Sequence, residues 1–149
     1  MSEITEHLVS LLDKLVFNSG ITSSTLITED GLIIATNSAQ NLEDELTHTD
    51  FAAISASILS MAERGIEIIN KNKILEQIKI DAGLDKNNEA DFTILVSRIY
   101  SNVLLQVIFP KKVNIGLIHF EINKIINEMK SIIKNDTKRE LFSSIGSLT

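Results

Sequence analysis

At 149 residues, with 44% hydrophobic and 23% charged, the chain is long enough for one domain with one core. It contains no Cys, which excludes disulfides, thiolate metal sites and cysteine nucleophiles, and at 5% aromatic it has no stacked platform for nucleobases. Its net charge of −6 disfavours nucleic acid as the main partner.

The polar, acidic start (Met1 to Glu6) does not read as a signal peptide, and no apolar run approaches the roughly 18 residues of a membrane helix. A soluble cytoplasmic protein without membrane insertion is expected. The charge is uneven. Residues 1–50 carry nine acids against Lys14 alone, whereas residues 111–149 carry seven bases against four acids. The C-terminal lysines could meet an acidic surface, or serve solubility alone.

Residues 3–17 read as a helix, with Ile4, Leu8, Leu11, Leu12, Leu15 and Val16 on one face and Ser2 as its N-cap. Asn18-Ser19-Gly20 ends it. Residues 21–28 read as a strand, Glu29-Asp30-Gly31 as a tight turn, and 32–37 as the hairpin partner. Residues 38–49 form a polar, acidic loop whose end, Thr47 to Asp50, fits a capping box with Asp in place of Glu.

A second helix is predicted over 50–69, with the apolar stripe Phe51, Ile54, Ile58, Ala62, Ile66 and Ile69, flanked by Leu59 and Met61. Its other side carries Ala53, Ala56, Ser57 and Ser60, then Glu63, Arg64 and Glu67. After a solvated connector, residues 74–81 alternate, with Ile74, Ile78 and Ile80 opposite Leu75, Gln77, Lys79 and Asp81. One wet face bearing a lysine marks an edge strand. A polar loop over 82–91 leads to two nearly continuous apolar runs, 92–99 and 103–109, which read as central strands covered on both faces. The last helix, 114–134, spaces Ile115, Ile118, Ile122, Ile125, Met129 and Ile132 along one face, and 135–149 is a tail beyond the domain at 3–134. The order α-β-β-α-β-β-β-α predicts an α/β (α+β) domain, a five-stranded antiparallel sheet with helices on both faces.

Catalytic constellations are missing from the sequence. There is no P-loop, His7, His48 and His119 fall on separate elements, and His119-Phe120-Glu121 lacks the cysteines of a zinc deaminase. Asp85 to Asp91 starts like a calcium loop, but Ala90 stands where Gly is needed and Val96 where the bidentate Glu belongs. Ser55, Ser57 and Ser60 have no nearby base. No enzyme activity, metal or cofactor is expected. The wide apolar arc of the second helix, directly followed by an edge strand, suits a two-fold dimer with a sheet continued across the axis. The expected interface is Phe51, Ile54, Ser55, Ile58, Leu59, Ala62, Leu75, Gln77 and Lys79.

Ser19-Gly20-Ile21, Thr28 to Ala35, Ala53-x-x-Ala56 through Met61-Ala62-Glu63-Arg64, and Asn114-Ile115-Gly116-Leu117 together resemble the Roadblock (dynein light chain) family, which includes MglB-like regulators of small GTPases. The resemblance spans residues 3–134 and implies a Roadblock/longin-like (profilin-like) sandwich. It further implies a homodimer, or a heterodimer with a paralogous Roadblock protein, that binds a small Ras-like GTPase without catalytic residues of its own. An MglB-like regulator speeds GTP hydrolysis by positioning the GTPase's own groups. An arginine finger is the other route, open only to Arg64, Arg98 and Arg139. The GTPase surface expected from the resemblance is Ala53, Ala56, Ser57, Ser60 and Arg64. Two alternatives stay open: a ligand-sensing domain of the GAF or PAS type, and an assembly subunit without GTPase contact.

Overall fold

The computed structural model describes residues 3–38, 42–83 and 91–135, and only the backbone of 42–48. The elements are α1 (Glu3–Ser19), β1 (Ser23–Thr28), β2 (Ile33–Thr36), α2 (Leu42–Ile69), β3 (Gln77–Ala82), β4 (Phe92–Tyr100), β5 (Val103–Pro110) and α3 (Ile115–Asn135). All strand pairs are antiparallel, in the order β2-β1-β5-β4-β3. The expected order and sheet are therefore observed. The readings made for Ser2, for residues 84–90 and for the tail beyond Asn135 lie outside the described residues.

Strands β4 and β5 sit centrally because both their faces are apolar. Leu95, Ile99, Leu105, Val107 and Phe109 join one core with Leu8, Leu11, Leu12 and Leu15 of α1 and Ile118, Ile122, Ile125, Met129 and Ile133 of α3. The alternate residues Ile94, Val96 and Leu104 face a second core, with Ile27, Ala52, Leu59 and Leu75. Strand parity thus divides the layers. Among the described residues, α1 and α3 cover one face of the sheet, and α2 alone covers the other.

The β1–β2 hairpin closes on Gly31 at φ +88°, a region that only glycine enters without strain. A side chain at that position would also meet the Cα of Ala53, at 3.0 Å from an ideal Cβ, so the turn lies directly against α2.

Two boundaries differ from the sequence reading. Helix α2 begins at Leu42 rather than at 50. The stretch Leu42 to Asp50 is polar enough to read as a loop, yet its Leu and Glu residues are good helix formers, and acids in a first turn suit the helix dipole. Strand β3 begins at Gln77 rather than at 74. Ile78, Ile80 and Ala82 are half-buried toward α2, and Gln77, Lys79 and Asp81 are exposed, as alternation requires. Ahead of the ladder the alternation breaks. Leu75, expected on the wetter face, is buried in the α2 core, and Ile74, expected on the drier one, is 66% exposed. The turn is fixed by hydrogen bonds from Arg98 Nε to Leu75 O (3.0 Å) and from Arg98 N to Glu76 O (2.8 Å).

Candidate interaction surface

As the only described helix on its side of the sheet, α2 has one covered face and a broad free one. Ala52, Ser55, Ala56 and Leu59 point into the core at 5% exposure or less. Ser55 Oγ donates to Gln106 Oε1 of β5 at 2.5 Å, a buried polar pair that fixes where along the sheet the helix sits. Phe51, Ile58, Ala62 and Ile66 lie half-buried along the margin. Beyond them Ile54 (55% exposed), Met61 (63%), Ile68 and Ile69 (both 86%) stand free. Ile54, Ile58, Met61, Gly65 and Ile68 follow one another at intervals of four, three, four and three, the spacing of a helix-pairing seam. Gly65 is open, with nothing within 4 Å of where a Cβ would be.

The expected stripe therefore mixes two rows. The core row is Ala52, Ser55, Ala56 and Leu59, built mostly from small residues that let α2 come close to the sheet. The row of larger residues faces outward or straddles the margin. Four expected site residues need correction on this ground. Ser55, Leu59 and Leu75, placed at the dimer interface, and Ala56, placed on the GTPase surface, are buried within the protomer. Phe51, Ile58 and Ala62 are half-buried, while Ile54, Gln77 and Lys79 are exposed. Ala53, Ser57, Ser60 and Arg64 are exposed along one flank of α2, the side on which Ala53 meets the β1–β2 turn. Ser57 Oγ bonds back to Ala53 O at 3.0 Å. Sequence reading missed Gly65 and Ile68, although the three-four spacing through them was there to be read.

Arginine roles separate cleanly. Arg98 is 8% exposed in its side chain and pairs with Glu29 of the β1–β2 turn and Glu63 of α2, as well as bonding the carbonyls of Leu75 and Ser101. A guanidinium committed to four partners cannot reach into another protein's active site. Arg64 remains exposed. Among the described residues, no three His, Cys, Asp or Glu side chains group as a metal site, and no helix is long and apolar enough to cross a membrane.

A layer of two helices, a five-stranded antiparallel sheet in the order 2-1-5-4-3 and a single helix behind it is a specific arrangement, and solved structures share it. The chain has the Roadblock fold. A Roadblock/LC7 domain from Streptomyces avermitilis superposes with a TM-score of 0.68 at 16% identity, covering 85% of this chain and 97% of that one. Myxococcus xanthus MglB gives 0.71 at 20% identity, over 91% of this chain and 100% of that one. The gliding protein MglB from Thermus thermophilus gives 0.72 at 13% identity, over 91% and 95%. No protein-family model matches the sequence, and no curated protein does. At 13–20% identity, the likeness to these solved structures is one of layer order and strand pairing.

Proposed function

We propose that this chain is a non-enzymatic Roadblock module that dimerises through α2 and β3 and, as a dimer, binds and regulates a small Ras-like GTPase. The observation that carries the dimer is the seam Ile54, Ile58, Met61, Gly65 and Ile68 beside the free edge of β3. Large apolar side chains in a continuous row on a protomer surface mark an interface. Antiparallel pairing of two such seams about a two-fold axis covers them, with Gly65 allowing close approach. It also brings the two β3 edges together and extends the sheet.

The GTPase reading is supported by the Roadblock fold, by the MglB neighbours and by the resemblance over residues 3–134. The flank Ala53, Ser57, Ser60 and Arg64 stays outside the seam, so it remains available in the dimer. Its small residues permit close docking, and Arg64 can set register and association rate. The GTP form is expected to bind more tightly, because the γ-phosphate orders the switch segments of such GTPases.

Light scattering at micromolar concentration should give twice the monomer mass, and Ile54→Asp with Met61→Asp should give the monomer mass with the fold intact. A monomeric parent protein refutes the interface. Affinity for Ras-like GTPases of the same organism, loaded with GTP or GDP, then tests the partner. Ser60→Arg should abolish binding without splitting the dimer. Equal binding of the two nucleotide states would make the chain a scaffold, and no binding at all would leave an assembly subunit.

A further inference from the structure

On the α1/α3 face, α1 lies over β1 and β2 and α3 over β4, which leaves the outward face of β3 bare: Gln77, Lys79 and Asp81 are all exposed there. An open groove of about 660 Å³ runs between this end of the sheet and the second half of α3. We propose that this groove takes an acidic, extended segment of a partner protein.

The chemistry of the walls points to that occupant. Lys130 and Lys134, one turn apart, line the α3 side. Among the described residues neither has a carboxylate within ion-pair distance. Asn123 and Ser131 line the same side and add neutral donors. On the sheet side Gln77 Nε2 donates to Ser97 Oγ at 2.8 Å, which leaves the Ser97 hydroxyl hydrogen to donate in turn.

Glu76 is the one carboxylate among the described lining residues, and the Arg98 guanidinium is already committed, so the free charge of the described walls is positive. Ile74, 66% exposed, and Ile126 supply apolar contact between the polar groups. A site rich in donors and cations, and open along its length, suits alternating carboxylate and apolar side chains on a passing chain. It buries too little of itself to enclose a small molecule. The site lies on the opposite sheet face from α2 and does not depend on the GTPase reading.

The test uses the full chain and a fluorescein-labelled peptide of a dozen residues alternating Glu and Leu, followed by anisotropy. The same peptide with Lys for Glu is the charge control. Lys130→Glu with Lys134→Glu should weaken binding of the acidic peptide about tenfold or more, because attraction at two contacts becomes repulsion. Lys14→Glu, on α1 over the other end of the sheet, should leave it unchanged. Binding that Lys14→Glu weakens equally would show a general charge effect and overturn the site. So would competition by inorganic phosphate at the peptide's own concentration, which would mark a small-anion site. Failure of the acidic peptide to bind below millimolar, or tighter binding of the lysine peptide, would overturn it as well.

Discussion

Replacing Arg98 with Met removes the guanidinium that joins four segments while keeping a side chain of similar reach. The group is 8% exposed, and its partners Glu29 and Glu63 are 40% and 28% exposed. Removing one member of a fully buried pair costs about 3–5 kcal/mol, because the other charge is stranded, whereas exposed pairs contribute about 0–1 kcal/mol. Both carboxylates here can regain some water, so the ionic loss lies between those limits, near 2 kcal/mol. The Leu75 carbonyl, held by Nε at 3.0 Å, also loses its charged donor. A carbonyl left unpaired in a partly buried site adds about 1 kcal/mol.

The expected total is about 3 kcal/mol, and at about 2–4 °C per kcal/mol for a domain of this size the melting midpoint should fall by roughly 6–12 °C. Urea and thermal unfolding followed by circular dichroism measure both. Because a stranded carboxylate is the main cost, adding Glu63→Gln to Arg98→Met should recover about 1 kcal/mol. A loss below about 1 kcal/mol for Arg98→Met refutes the clamp. A double variant no more stable than Arg98→Met refutes the stranded-charge account.

Ser55→Ala leaves the Gln106 amide unpaired under α2 and should cost about 1–3 kcal/mol, while Ser55→Ala with Gln106→Leu should recover most of it, since an apolar pair has nothing to satisfy; denaturant melts of the two variants decide. Asp81 has its pKa lowered from the ordinary 3.8, first by the hydrogen bond that Thr93 Oγ1 donates at 2.6 Å and then by the charges of Lys79 and Lys111. A folded pKa below the unfolded one favours the fold above the usual carboxylate range, and that contribution is lost as pH falls through the folded value. Thr93→Val should move the Asp81 midpoint upward in a carbon-detected NMR titration, and an unmoved midpoint would assign the shift to the lysines.

Much of the fold was legible because local signals and long-range packing agree in this chain. The 3-4 spacing in α1 and α3, the Gly31 turn and the unbroken apolar runs of β4 and β5 each admit one reading, and each follows from nearest-neighbour geometry. The seam on α2 was partly legible, since its spacing is in the sequence. Which of two adjacent rows faces the sheet was not. Hydrophobicity favours burying Ile54 and Met61, yet the close approach required by Gly31 against Ala53, and the Ser55–Gln106 bond, turn Ala52, Ser55, Ala56 and Leu59 inward instead. Leu75 follows the same rule. Alternation predicts its side only within a paired ladder, and the residues before Gln77 are placed by Arg98, a contact across 23 residues of chain. The sequence by itself determined the elements, their order and the two-sided core. Tertiary structure decided which small and polar residues face that core, and so which large apolar ones remain on the surface. That choice depends on distances between elements, which no periodicity within one element contains.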